Sequence, residues 1–258
     1  MGIHMADVIA VTNQKGGVGK TTTAGVLISG LSAKYKRVLG VDLDPQGSLG
    51  FSLGVDIENG YSVYEVMRKD VPVLKAIKQT DSGDILSSNI LLSGAELEFN
   101  RPGREFLLRD ALAVVKNQYD YIIIDTPPAL NILTINAYTV SNKLLIPMIP
   151  DILSLLGISQ LKETIDTVRK FYNPNLEMLG ILLTKYNKRM NLTKEVEELA
   201  EEIARQLDTV VLNSKIRTSV AVAEAPAHGQ SVLSYAPKSN AAADYFDLLE
   251  KIIDGGLL

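Results

Sequence analysis

Ten residues, Asn13-Gln-Lys-Gly-Gly-Val-Gly-Lys-Thr-Thr22, stand between an apolar β-branched run, Val8-Ile-Ala-Val-Thr12, and a segment of helical character from Ala24 to Ala33. Few folds accept that order. The loop must carry the chain directly from a strand into a helix, and its backbone N–H groups then converge on the positive end of the helix dipole. Such a cradle takes an anion, above all a phosphate. Gly16, Gly17 and Gly19 bring the backbone close to phosphate oxygens with no Cβ in the way, and Val18 and Thr22 complete the loop. Lys20 supplies a point charge for the β- and γ-phosphates of a nucleotide, and the Thr21 hydroxyl can ligate Mg2+. The generic spacing has glycine where Gln14 stands, and the departure comes with a gain, because Lys15 brings a second cation to the front of the loop.

Short β-branched runs alternate with longer stretches of helical period along the rest of the chain. This predicts strands near 8–13, 37–42, 84–92, 120–124, 143–148, 178–184 and 210–212. Leu155, Ile158, Leu161, Ile165 and Val168 recur every three or four residues, as do Val196, Leu199, Ile203 and Leu207, so each segment offers one apolar stripe to a sheet. A closing helix from Ser239 to Asp254 puts Ala243, Phe246, Leu249, Ile252 and Ile253 on a similar face, ahead of the stop signal Gly255-Gly256. The expected architecture is α/β: a single P-loop NTPase domain over residues 6–258, its mostly parallel twisted sheet carrying helices on both faces. No repeat, low-complexity tract or linker divides it.

Ligands of open α/β sheets sit at the carboxyl ends of the strands. Two such ends carry carboxylates here: Val38-Leu-Gly-Val-Asp42 runs into Leu43-Asp44-Pro45-Gln46-Gly47, and Tyr121-Ile-Ile-Ile into Asp125-Thr126-Pro127-Pro128. Asp125 is placed to hold Mg2+ through water, with Asp42 and Asp44 flanking the metal and the attacking water. A lone Asp at a strand end is as often a turn or cap residue. Their joint occurrence with the glycine-rich loop is what assigns them to the chemistry.

Composition closes off other classes. The 258 residues, 46% hydrophobic and 22% charged, suit one soluble globule. The absence of cysteine excludes disulfides, Cys-ligated zinc and Cys-held iron–sulfur clusters. A formal charge of −4 gives no general attraction to nucleic acid or anionic lipid, so binding of either requires a local basic patch. Apolar runs such as Tyr121–Ile124 and Leu144–Ile149 are far short of a membrane span and no signal peptide opens the sequence, so a cytoplasmic location is expected. Met1-Gly-Ile-His-Met5 reads as an expression scar ahead of a native start at Met5, which leaves His4 without a role. The closing helix sets Asp244, Asp247, Glu250 and Asp254 against Lys251 alone, the wrong charge for a helix lying on lipid.

At these residues the chain resembles the ParA/MinD family of deviant-Walker ATPases, and within it the Soj-type chromosome and plasmid partition ATPases. The matching pieces are Lys15-Gly-Gly-Val-Gly-Lys-Thr-Thr-Thr, Val41-Asp-Leu-Asp-Pro-Gln-Gly, Asp125-Thr-Pro-Pro, Leu183-Thr-Lys-Tyr-Asn and Glu224-Ala-Pro-Ala-His-Gly. They run from the first strand to the C-terminal third, and with no large segment ahead of the loop the chain resembles the short subclass. The resemblance implies ATP and Mg2+ as ligands and a homodimer formed on ATP binding. In that dimer Lys15 reaches the partner's phosphates, Asp44 orients the hydrolytic water, and the Lys185 and Ile216-Arg217 regions line the adenine pocket. The proline common at the Arg217 position is missing.

The resemblance also implies nonspecific binding of the ATP-bound dimer to double-stranded DNA of the nucleoid. A centromere-binding ParB-type partner is then expected to stimulate slow hydrolysis. Lys188, Arg189, Lys215, Arg217 and Lys238 are the basic residues in the relevant segments, while Thr218 and Ala221 stand where relatives often have arginine. The same cations also read as an ordinary solvated face. A MinD-like membrane-positioned regulator, or a regulatory ATPase with another cargo, would use the same switch, although the acidic closing helix argues against stable membrane association. An iron–sulfur relative would need cysteines that this chain lacks.

Overall fold

The computed structural model describes residues 5–149, 157–187 and 193–254. Among them, eight strands form one sheet: β1 (Asp7–Val11), β2 (Val38–Asp42), β3 (Ile77–Lys78), β4 (Asp84–Leu86), β5 (Tyr121–Asp125), β6 (Lys143–Met148), β7 (Glu177–Tyr186) and β8 (Val211–Arg217). Their order is β3-β4-β2-β5-β1-β6-β7-β8, and only the short β3–β4 pair is antiparallel. Parallel strands buried on both faces need apolar side chains pointing both ways. That is how β1 and β5 are built: Val8, Ala10, Ile122 and Ile124 enter one core, and Ile9, Val11 and Ile123 the other.

The helices divide between those two cores. On one face lie α1 (Lys20–Ala33) and α2 (Ser48–Ser52). The opposite face carries α3 (Val63–Arg68), α4 (Val73–Ala76), α5 (Ala95–Glu98), α6 (Leu107–Leu112), α7 (Ile132–Val140), α8 (Ile158–Phe171) and α9 (Thr193–Gln206). The chain then returns to the first face with α10 (Val220–Glu224), α11 (Val232–Tyr235) and α12 (Asn240–Asp254). The α/β architecture with helices on both faces is the expected one.

Four details differ from expectation. The β3 strand, two residues long, carries too little pattern to be read. The segment 84–92 ends as a strand at Leu86, because Asn89 accepts the Leu91 N–H at 3.0 Å and starts a 3-10 turn over Ile90–Gly94. Conversely β8 continues to Arg217, with Leu212, Ser214 and Ile216 inward, since an edge strand can alternate polar with apolar residues and hide its length. In α12 the buried stripe is Ala241, Ala242, Tyr245, Leu248, Leu249 and Ile252, whereas Ala243 is exposed and Phe246 is 37% exposed. The helix is rotated so that a phenol, not a phenyl, enters the core. Leu155, His4, Gly255, Gly256, Lys188 and Arg189 lie outside the described residues.

Candidate functional site

A cleft of about 560 Å³ opens at the carboxyl end of the sheet, lined by Gly16–Thr22, Asp44, Pro128, Lys185, Ile216, Arg217 and Tyr245 among others. Its floor is the turn from β1 into α1. Gly17 (φ 73°) and Gly19 (φ 90°) adopt left-handed backbone that an L side chain resists. Gly16 is different: it needs no such conformation, and a Cβ there would meet no protein atom within 4 Å, so only an occupant of the cleft would object to a side chain.

Hydroxyl and amide side chains fix this loop from several strands. Thr184 of β7 donates to the Val18 carbonyl at 2.8 Å, Thr126 to the Val11 carbonyl at 3.0 Å, and Thr12 shares a 2.8 Å bond with the buried Tyr138. Asn13 accepts the Lys15 N–H at 2.9 Å and donates to the Pro147 carbonyl at 2.8 Å. The helix start that follows has been left open. Where Ser62 and Glu65 form a capping box on α3 and Asn131 caps α7, α1 begins at Gly19 with no side-chain cap and no acidic residue in its first turn. The N–H groups and the dipole of α1 therefore face the cleft uncompensated.

The charges converge at the same place. Lys20 is 7% exposed and donates to the Lys15 carbonyl at 3.0 Å; burial lowers its pKa, with Asp125 and Asp44 working in the opposite direction. Strand register sets Asp42 of β2 opposite Asp125 of β5. Both are fully buried, but they are used differently. The Asp42 carboxylate accepts the N–H groups of Asp44 at 2.9 Å and Leu49 at 3.0 Å, and burial pushes its pKa up to about 7. Neither oxygen of Asp125 accepts a hydrogen bond of ordinary geometry. Its pKa is raised well above the usual carboxylate range, first by burial and then by the Asp42 charge, while the Thr21 hydroxyl and Lys20 favour the charged form.

A buried carboxylate without a partner, beside a hydroxyl, is a donor set of hard oxygens that suits Mg2+. Among the described residues no group of three or more His, Cys, Asp or Glu side chains could hold a metal alone. A magnesium ion here would depend on phosphate oxygens and water as well as Thr21 and Asp125, which is its habitual manner of binding. Asp42 was expected to flank the metal, yet its oxygens are engaged by the backbone of the loop that carries Asp44. Asp44 itself lines the cleft, and its side chain accepts the Gln46 N–H at 3.0 Å.

The remaining expected residues separate into two sets. Lys185, Ile216 and Arg217 do line the cleft, whereas Lys15, at its entrance loop, does not line it although Gly16–Thr22 do. Of the basic residues expected to meet DNA, Lys215 is ion-paired with Glu197 and lies 5.0 Å from the Tyr186 ring, and Arg217 is paired with Asp244 at 2.6 Å. Lys238 is exposed between α11 and α12. The expected cationic cluster is thus interleaved with carboxylates, which came from α9 and α12 and could not be paired with β8 before the fold was known. Tyr245 and Thr184 are site residues that pattern reading missed: the apolar stripe of the closing helix runs through Phe246 on periodicity alone, and Thr184 sits in a matched motif with no role of its own.

Comparison with known proteins agrees with this geometry. Residues 6–178 match the family described as AAA domain. The sporulation initiation inhibitor protein Soj of Bacillus subtilis is 42% identical, over 98% of this chain and 100% of that one. The chromosome partitioning protein ParA of Myxococcus xanthus is 40% identical, over 93% and 86%. Among solved structures, cobyrinic acid a,c-diamide synthase from Mycobacterium smegmatis, with bound ADP and magnesium, superposes with a TM-score of 0.84 at 37% identity, covering 96% of this chain and 94% of that one.

Proposed function

The chain belongs to the ParA/Soj-type family of partition ATPases, and from that premise we propose that its cleft binds Mg-ATP between two copies of the molecule. Hydrolysis then resets an ATP-dependent grip on DNA. The observation that carries the proposal is the unpartnered Asp125 carboxylate beside buried Lys20, under an uncapped helix start. Such an arrangement is costly in an empty protein and makes sense against a polyphosphate and a divalent cation.

In this reading the N–H groups of Gly16–Thr22 and the Lys20 ammonium hold the β- and γ-phosphates. Thr21 and Asp125 would hold Mg2+, which would offset the charge on the phosphate oxygens. Asp44 orients the attacking water, its loop kept in place by the Asp42 carboxylate. Lys15 serves the phosphates of the second copy, as the family resemblance of the loop implies. Transfer of this kind relies on charge placement, and a missing trans cation costs roughly 10³–10⁵ in rate. A lone copy should therefore hydrolyse slowly, with a ParB-type partner as the stimulating agent.

The DNA-binding half of the proposal rests on Lys188, Arg189 and Lys238, since Lys215 and Arg217 are already paired with acids. Two copies presenting one face would double the local positive charge. Among the described residues no helix is long and apolar enough to cross a membrane, and the exposed acids of α12 favour a cytoplasmic, nucleoid-bound cycle over a lipid-bound one. Paired substitutions test the site. Lys20→Gln should weaken ATP binding by one to two orders of magnitude, roughly, whereas Lys15→Gln should leave binding nearly intact and remove turnover. Equal loss of binding in both variants would refute the trans role.

A further inference from the structure

One wall of the cleft is built from β8 and α10, with Ile216, Arg217 and Val222 on it, and Tyr245 of α12 lines the same cleft. Tyr245 is 1% exposed, and its hydroxyl lies 3.2 Å from the Thr23 hydroxyl in the first turn of α1. The residue before it, Asp244, takes hold of Arg217. The guanidinium donates from Nη2 to Oδ1 at 2.6 Å and from Nε to Oδ2 at 2.9 Å, and the Arg217 backbone N–H donates to Oδ2 at 2.9 Å. A further bond runs from Nη2 to the Asn240 carbonyl at 3.2 Å.

Ordinary surface ion pairs contribute little because both side chains keep their freedom. Here the carboxylate is 14% exposed and grips side chain and main chain of one residue together, the geometry in which a guanidinium–carboxylate pair is strongest and most directional. Two consecutive residues of the last helix therefore brace two walls of one cleft, Asp244 the β8 wall and Tyr245 the α1 wall. Since the Arg217 charge is neutralised by Asp244, that wall offers the occupant mainly the apolar surface of Val222, backed by the buried Ile216, which suits a flat heterocycle better than another phosphate.

We infer that Asp244 is a positioning residue for nucleotide binding, fixing through Arg217 the wall that meets the nucleoside and leaving the phosphate cradle untouched. The inference rests on the proposed nucleotide site, and its test separates the two. In the full-length chain, Asp244→Asn keeps the side chain's size and removes its charge. ATP affinity, measured by displacement of a fluorescent ATP analogue, should fall about tenfold, with KM rising in step and kcat at saturating ATP changing less than about twofold. Displacement by inorganic tripolyphosphate, which touches only the cradle, should not change. Arg217→Lys, which keeps the backbone bond but loses the planar fork, should give a smaller loss and add little to Asp244→Asn. Unaltered ATP affinity in Asp244→Asn, or equal losses for ATP and tripolyphosphate, would overturn the positioning role. If the unsubstituted protein bound neither probe, the nucleotide site itself would be wrong.

Discussion

Asp42 and Asp125 are neighbours across two strands, both fully buried, and the protein treats them unequally. One is bonded to the backbone of the Asp44 loop and the other accepts no hydrogen bond of ordinary geometry. Burial raises the Asp42 pKa from 3.8 to about 7, so the folded chain keeps a proton that the unfolded chain releases. The sign follows from linkage: the stabilisation is complete below the unfolded value and is lost as pH rises through the folded one. Without nucleotide, the urea midpoint should fall between about pH 4 and pH 7, with a slope on the order of 1 kcal/mol per pH unit. Asp42→Asn should flatten that dependence at a lower overall stability, because its amide sets an N–H donor against one of the two backbone donors. A pH profile unaltered by the substitution would remove Asp42 as the source.

Elements matter here through how their ends are finished. The helices α3 and α7 are closed by side-chain caps, while α1 is left open and its preceding loop is tied instead to neighbouring strands. The bond from Thr184 of β7 to the Val18 carbonyl is the clearest of these ties, buried and 166 residues distant in sequence. Thr184→Val keeps the shape and removes the donor, so a buried carbonyl loses its partner. Stability should drop by about 1–3 kcal/mol, and KM for ATP should rise several-fold as the loop relaxes. Chemical denaturation and steady-state kinetics on the same preparation check both. A loss of stability with KM unmoved would mean that the loop holds its shape without β7.

For the molecule as a whole, the question is whether two copies close on one nucleotide and what they then grip. Asp44→Ala should bind ATP and stall before hydrolysis, since Asp44 lines the cleft without belonging to the cradle. With ATP and magnesium, light scattering should show this variant moving from monomer to dimer. The dimer should be retained on nonspecific duplex DNA at low salt and released as salt rises, with a log–log slope that counts the phosphates contacted. A strictly monomeric Asp44→Ala protein would end the account of a shared site. A dimer with no hold on DNA would end only its cargo, and the acids paired with Lys215 and Arg217 make that arm a demanding one.

Much of this molecule was legible before its structure. The glycine-rich loop between a strand and a helix, and the carboxylates ending two apolar strands, are local patterns: spacing along the chain alone dictates where backbone N–H groups and charges must point. Residues 16–22, Asp44, Lys185 and Ile216 duly line one cleft. Other assignments depend on which distant segments meet. Asp244 meeting Arg217, Tyr245 meeting Thr23 and Glu197 meeting Lys215 join residues far apart in sequence, and periodicity set Phe246 on the inward face where the fold puts Tyr245. The chain by itself determined the phosphate end of the site, where backbone geometry is local. Only the folded packing of α9 and α12 against β8 decided which cations remain available to a partner, because a side chain's charge counts only after its neighbours are known.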